Sequence, residues 1–190
     1  MTLMKRNRQL QAGFTLIEMM IVIAIAAVLA GMAVPVSRGF LSAVKADASL
    51  GAAVDVLTQA RDQAVAQRRN FELAFVGNNH LQVWRIEVPS GSKTKIMDIP
   101  LESRQQFTKF ASLPDTPDKF GNATAIKFSG TAPWMFTSDG SLIDSNGDVS
   151  NGTIFLGVPN EVMTARAVTV FGATGLMRTW RWRGGKWFSN

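Results

Sequence analysis

The stretch Gly13-Phe14-Thr15-Leu16-Ile17-Glu18 opens an apolar run of about 21 residues that ends at Val34. Glu18 is the only charged residue within the run. At a helical rise of about 1.5 Å per residue, the run is long enough to cross a hydrocarbon core about 30 Å thick. A carboxylate inside a membrane helix costs roughly 2.5 to 3.5 kcal/mol, so Glu18 is expected to meet a positive partner in its working state.

The residues before the run set its expected orientation. Positions 1–13 contain Lys5, Arg6 and Arg8 and no acidic residue, which keeps the N-terminal end in the cytoplasm and places residues from 36 onward beyond the inner membrane. An ordinary secretory signal, cut near the small residues 30–33, is one alternative, although its apolar region is typically about 7 to 15 residues long. A plain single-pass anchor is another, and it leaves Glu18 without a role.

At 13–18 the chain resembles the type IV pilins and the pseudopilins of type II secretion. Their leader is a short basic peptide that ends in Gly and is followed by Phe-Thr-Leu-Ile-Glu, a pattern that this sequence matches at every position. The resemblance implies that a prepilin peptidase removes residues 1–13 by cutting after Gly13. It also implies that the new amine of Phe14 is methylated and that Glu18 becomes the fifth residue of the mature chain.

The implied cut gives Glu18 a partner. It leaves a positive amine on Phe14 among apolar neighbours, and the carboxylate of an adjacent subunit can neutralise that amine. A desolvated ion pair adds little stability by itself, but removal of one partner costs roughly 3 to 5 kcal/mol. Glu18 is therefore expected to set register and recruitment during assembly.

Composition limits the remaining possibilities. The chain has 190 residues, no cysteine and a single histidine, His80, which lies in a turn-rich segment. About 155 residues follow the apolar run, enough for one domain with its own core. Without Cys or a second His, a zinc site or a Ser-His-Asp triad has few residues to be built from, so the sequence favours a protein that is not an enzyme and has no cofactor.

The positive charge is localised. The whole chain has a formal charge of +6, of which three positive charges lie in the expected leader. Residues 161–190 contain five basic residues against Glu161, a local charge of +4. The positive field therefore belongs to the C-terminal end of the chain.

Periodicity predicts one long helix over 14–69. Pro35 and Gly39 are expected to bend it without ending it, because an apolar stripe resumes at Leu50 and continues to Ala64. The predicted organisation is a leader at 1–13, a transmembrane helix at 14–35, an amphipathic helix at 36–69 and a β-rich extracytoplasmic domain at 70–190.

The remainder has the pattern of antiparallel strands. Phe71–Val76, a Gly-Asn-Asn turn and Leu81–Val88 predict a hairpin. Further strands are predicted at 126–128, 134–136, 153–158, 167–171 and 176–182, between turn-rich segments. The fold class is therefore α+β and pilin-like, with a long N-terminal helix packed against antiparallel sheet.

Several later segments resemble the GspH/FimT branch of minor pilins. They are 57–69 with Ala60-Arg61, then Phe136-Thr137-Ser138-Asp139-Gly140, then 167–170 with Gly175-Leu176-Met177-Arg178. This branch often has Gly-Arg-x-Arg near its C-terminus, and Leu176 stands here in place of the first Arg. Some FimT-like members bind DNA through this basic loop.

Two readings apply to the C-terminal basic residues. Cations beside aromatic rings suit nucleic-acid strands, and the candidate DNA-binding residues are Arg178, Arg181, Arg183, Lys186, Trp180 and Trp182. Alternatively, this is an ordinary final strand, with Arg178, Trp180 and Trp182 on one face and Thr179, Arg181 and Arg183 on the other.

The segment 144–148 resembles a calcium loop only weakly. Asp144, Asn146 and Asp148 alternate as oxygen ligands do, but Val149 occupies the position that an EF-hand gives to Gly, and no Glu follows at the twelfth position. A polar hairpin turn is the preferred interpretation.

The preferred function is that of a minor pilin or pseudopilin that enters an inner-membrane filament by its N-terminal helix and lies at or near the tip. Its expected partners are other pilins, the prepilin peptidase and the membrane, with a single pass and a periplasmic C-terminal domain. A DNA-capturing pilin is the second hypothesis, and an anchored periplasmic enzyme is the third. Neighbouring genes for a secretin or for a pilus motor would distinguish type II secretion from a type IV pilus.

Overall fold

A computed structural model describes residues 14–102 and 104–189, and the side chains of 32–40 are outside this description. The predicted leader, including Gly13, also lies outside the described residues. The chain divides into two compact units, Met1–Phe40 and Leu41–Asn190. The predicted boundary between an anchor at 14–35 and a following segment at 36–69 stays a prediction.

The first helix, α1, extends over Leu16–Gln67. It is assigned as helix through Pro35 and Gly39, as the periodicity predicted. From Leu16 to Leu29 its large apolar side chains are exposed. Within the described residues, no helix is found with both the length and the apolar character needed to cross a membrane. The single-pass span predicted at 14–35 therefore stays a prediction.

A left-handed residue ends α1. Arg68 has φ of 51°, and the next amide, Arg69 N–H, donates to Ala64 O at 3.2 Å. This is the hydrogen bond of a Schellman ending, in which glycine usually takes the left-handed position. Strand β1 begins three residues later at Phe71, so the chain reverses within a short turn.

Two antiparallel sheets follow the helix. The strands of the first sheet are β1 Phe71–Val76, β2 His80–Ile86, β3 Lys93–Pro100, β6 Trp134–Phe136 and β7 Leu142–Ile143. Those of the second are β4 Gln106–Phe107, β5 Ile126–Phe128, β8 Gly152–Gly157, β9 Arg166–Phe171, β10 Leu176–Arg183 and β11 Lys186–Ser189. The first sheet has the order β3-β2-β1-β6-β7, and the second has the order β11-β10-β9-β8-β4 with β5 also paired to β8.

One hydrophobic core joins the second half of α1 to both sheets. Helix residues such as Leu50, Leu57 and Ala64 belong to the same buried cluster as Phe71 of the first sheet and Val168 of the second. This is the docking of the amphipathic stripe that its spacing predicted. The α+β class is therefore confirmed.

The outer face of the second sheet has its own cluster. Trp180 and Trp187 are buried there with Phe110, Leu113 and Phe155, and Trp182 is partly buried beside them. Trp187 Nε1–H donates to Pro114 O at 2.9 Å, which ties the sheet to the long segment 108–125. That irregular segment therefore covers the sheet.

Of the strands within residues 14–102 and 104–189, seven were predicted within two residues of their observed bounds, and four were missed. The missed strands are β3, β4, β7 and β11. β4 and β7 have two residues each, too few for alternation to appear. β3 contains three charged residues and a register shift opposite Val83/Trp84, which interrupts the period of two. His80, expected in a turn, instead begins β2.

Candidate functional site

Glu18 and Thr15 form a reciprocal cap at the start of α1. Thr15 N–H and Oγ1–H both donate to Glu18 Oε2 at 2.8 Å, and Glu18 N–H donates to Thr15 Oγ1 at 3.3 Å. Thr-x-x-Glu before an apolar run is a capping box, in which each side chain satisfies the other residue's amide. This spacing is visible in the sequence at 15–18 and was sufficient to predict the cap. Glu18 therefore already has hydrogen-bond donors within its own chain.

The cap lies in an apolar surface. Phe14 is 82% exposed, and the neighbouring Leu16 and Ile17 are also exposed. Such a run of apolar side chains requires a covering partner or a lipid environment, because exposed apolar area costs about 25 cal/mol per Å².

Arg178 is neutralised within the domain. Its guanidinium Nη1 donates to Asp118 Oδ1 at 2.9 Å, and its Cζ lies 4.8 Å from the centre of the Phe171 ring. The Asp118 side chain is only 7% exposed and also accepts a hydrogen bond from Thr169 Oγ1 at 2.5 Å. Arg178 thus belongs to a network that holds segment 108–125 on the sheet.

Asp47 of α1 receives two arginines from the second sheet. Arg166 Nε donates to Asp47 Oδ1 at 2.6 Å, and the Arg166 side chain is 5% exposed. Its remaining nitrogens donate to the carbonyls of Ala43, Met163 and Ala165. Arg181 Nε lies 3.1 Å from the same Asp47 oxygen, although the alignment is not that of a hydrogen bond.

The β10–β11 hairpin carries the remaining predicted cations. Arg183 pairs with Lys186 across the turn Gly184-Gly185, whose φ values of 57° and 84° suit a two-residue hairpin loop. Lys186 Nζ lies 5.0 Å from the centre of the Phe188 ring, and Phe188 is 44% exposed. Among the described residues, neither Arg183 nor Lys186 has a carboxylate within salt-bridge distance.

The candidate aromatic residues face away from those cations. Trp180 Nε1–H donates to Thr169 Oγ1 at 3.0 Å, and the ring is buried in the outer cluster. Trp182 packs edge-on against Trp187 with 5.3 Å between ring centres. Arg178, Trp180 and Trp182 thus share the outer face of the sheet, while Arg181 contacts the helix on the inner face.

Asp144 serves the backbone of its own loop. Its carboxylate accepts the amides of Asn146 at 2.8 Å, Asp148 at 3.0 Å and Thr131 at 3.2 Å. Burial would raise the pKa of Asp144, but these donors outweigh it and lower the pKa. In the described part of the chain, no cluster of His, Cys, Asp or Glu has the geometry of a metal site. The segment 144–148 forms a polar turn held by Asp144, and the weak calcium resemblance stays a prediction.

Three segments that were compared with the GspH/FimT branch meet in space. Arg61 Nε donates to Gly140 O at 3.3 Å, and a Cβ built on Gly175 would lie 2.2 Å from that oxygen and 2.6 Å from Arg61 Cδ. Both glycines have positive φ, 83° and 63°. Sequence alone placed these residues in one family pattern but gave no contact between them.

A comparison with protein families places the N-terminal segment. Residues 8–34 match the prokaryotic N-terminal methylation motif. The match includes the stretch 13–18, on which the resemblance to the type IV pilins and pseudopilins was based.

Among solved structures, the chain is similar to the minor pseudopilin EpsH from the type 2 secretion system of Vibrio cholerae, with 14% identity. The similarity covers 72% of this chain and 97% of that one, with a TM-score of 0.49. No curated protein matches the sequence.

Proposed function

We propose that this chain is a minor pilin or pseudopilin, anchored in the inner membrane by residues 14–35 and incorporated into a filament through its N-terminal helix. The N-terminal methylation motif at 8–34 carries the proposal. Prepilin peptidase cuts after Gly13, the amine of Phe14 is methylated, and the domain lies in the periplasm. In the assembled filament the subunit occupies a position at or near the tip.

The exposed apolar surface of α1 supports assembly through this helix. Its large side chains from Leu16 to Leu29 are exposed along the single chain. Lipid covers them before assembly, and helices of neighbouring subunits cover them afterwards, without a change in the domain. Glu18 then provides polar specificity, because its charge is neutralised only in the correct register.

Two variants distinguish the charge of Glu18 from its role in the capping box. Glu18→Gln removes the charge and keeps an oxygen that Thr15 can donate to, whereas Thr15→Val keeps the charge and the shape and removes the hydroxyl. We expect Glu18→Gln to insert into the membrane and fail to co-purify with partner pilins. Thr15→Val should insert and co-purify at close to the wild-type level.

Both outcomes are read from cross-linked membranes and sheared filaments. Wild-type incorporation of Glu18→Gln would contradict charge pairing with the Phe14 amine. Loss of incorporation in Thr15→Val, together with wild-type incorporation of Glu18→Gln, would instead assign Glu18 to the helix cap alone.

DNA capture at the C-terminus is the alternative function. The ion pairs of Arg178 with Asp118 and of Arg181 with Asp47 leave Arg183 and Lys186 as its strongest remaining residues. Replacing Arg183 and Lys186 with Gln should abolish salt-sensitive DNA binding by the protein if this alternative holds. Unchanged binding, or no binding by the wild type at low salt, would exclude it.

A further inference from the structure

Two contacts fix the course of β10 along α1. At one end Gly175 packs against Arg61, and at the other Arg181 lies 3.1 Å from Asp47. The fourteen helical residues between 47 and 61 rise about 21 Å, and the six strand residues from 175 to 181 extend about 20 Å. Because the two lengths agree, β10 runs alongside the helix and opposite to it in direction.

The hairpin continues past the second contact. From Arg181 the strand extends through Arg183 to the turn at Gly184-Gly185, which adds about 10 Å. That length equals about six or seven helical residues, so the hairpin tip reaches the level of Leu41. Leu41 is the first residue of the second compact unit. The tip is therefore at the end of the domain where the helix enters it.

This end of the domain is close to the apolar run in the sequence. Only seven positions separate Val34 from Leu41, about 10 Å at a helical rise. The headgroup layer on each side of a bilayer adds roughly 5 to 8 Å to the hydrocarbon core. If the run 14–34 spans the membrane, this short connection keeps the hairpin tip within reach of the headgroups.

The residues of the tip suit that surface. Arg183 and Lys186 are exposed on either side of the turn, and Arg181, Arg183, Gly184 and Phe188 line a groove of about 480 Å³. Leu41 and Val44 of α1 are also exposed at this end. Basic side chains next to exposed apolar ones are favourable at an interface rich in anionic lipid, where each cation increases binding about fivefold.

We propose that the tip of the β10–β11 hairpin, through Arg183, Lys186 and Phe188, docks on anionic phospholipid headgroups of the membrane that holds the chain before assembly. The proposal rests on the proposed membrane anchor. Lipid is favoured over DNA because phosphate contacts supply most of the affinity for DNA, and this small tip offers only Arg183 and Lys186 for such contacts. A bilayer needs only two or three, since the anchor already holds the domain beside it.

The test uses the full-length protein in two kinds of nanodisc. One contains phosphatidylcholine alone, and in the other about a third of the lipid is phosphatidylglycerol. Amide hydrogen exchange of the peptide covering 183–189 is measured in both. We expect at least threefold slower exchange in the anionic discs, and about 0.5 M salt should remove the difference. The variant Arg183→Gln/Lys186→Gln should lose it, whereas Arg68→Gln/Lys127→Gln, which removes the same charge elsewhere, should keep it.

Each other outcome contradicts the proposal in a distinguishable way. Exchange that is equal in both nanodiscs overturns the hairpin docking and leaves the anchor intact. Failure of the wild type to enter either nanodisc overturns the anchor and the docking together. Tight binding of a DNA duplex that Arg183→Gln/Lys186→Gln abolishes, without any lipid effect, assigns the tip to nucleic acid.

Discussion

Arg166 is the residue on which the attachment of helix to second sheet depends most. Its buried guanidinium donates to Asp47 and to three backbone carbonyls, so every nitrogen has a partner. The sequence marked it only as one of five C-terminal cations. A single sequence does not show which arginine is buried, because burial depends on the strand register that brings β9 beside Asp47.

Removal of Arg166 should destabilise the protein strongly. Arg166→Ala leaves the three carbonyls without their donor and Asp47 with Arg181 as its remaining ion-pair partner, and each buried acceptor left unsatisfied costs about 1 to 3 kcal/mol. Thermal unfolding of full-length protein in detergent measures the loss. Arg183→Ala, a basic residue of the neighbouring strand without such contacts, should change the free energy of unfolding by less than about 0.5 kcal/mol. Equal effects of the two changes would contradict this role.

The lowered pKa of Asp98 predicts how the free energy of unfolding changes at acid pH. The hydrogen bond from His80, followed by that from Lys95, lowers the pKa of Asp98 to about 2 from its usual 3.8. Because the folded pKa is lowered, the stabilisation is present above about pH 4 and is lost as the pH falls towards 2. Asp98→Asn should therefore be less stable than wild type at pH 7, with a smaller difference at pH 2. Denaturant midpoints at both pH values measure this, and a constant difference would contradict it.

At the scale of elements, two turns between strands attach the sheets to α1. The β6–β7 turn at Gly140 and the β9–β10 turn at Gly175 both contact Arg61 of α1. One turn of each sheet is therefore fixed to the helix at the same residue. The strand patterns predicted most of the strands. They could not predict this contact, since turn residues have no periodicity that relates one turn to another.

Gly175→Ala should be among the most damaging single-methyl changes. The new Cβ would lie 2.2 Å from Gly140 O and 2.6 Å from Arg61, in addition to the strain of a φ of 63°. Gly147→Ala is the matched control, with a φ of 88° and nothing within 4 Å of its Cβ. The control should lose about 1 kcal/mol from backbone strain and Gly175→Ala at least 2 kcal/mol more. Equal losses of stability in thermal unfolding would show that Arg61 and Gly140 move aside without cost, which would contradict this role of Gly175.

The first and last residues of α1 are set by local hydrogen bonds that hydrophobic periodicity does not predict. The apolar stripe predicted an end near Arg69, and the observed end is Gln67, set by the left-handed Arg68. The start was predicted at Phe14, whereas the capping box starts the helix at Leu16. Both corrections come from backbone hydrogen bonds, which a hydrophobic pattern does not encode.

For the whole molecule, the sequence was most informative at its N-terminus and least at its C-terminus. The methylation motif is a short contiguous pattern, so a single sequence suffices to recognise it. The basic C-terminal residues are close in sequence but separate in the fold. Arg178 lies on the outer face beside Asp118, Arg181 contacts Asp47, and Arg183 and Lys186 stand at the hairpin tip. Their shared positive charge therefore does not form one site.

The proposed function depends first on removal of residues 1–13 and on assembly through the helix that follows Phe14. Mass spectrometry of the N-terminal peptide of the membrane-embedded or assembled protein tests it directly. We expect a peptide that starts at Phe14 with one added methyl group, and a Gly13 variant with a bulky residue should keep the leader. A mature chain that starts near Met32 or Ala33, or that retains Met1 in assembled protein, would contradict it.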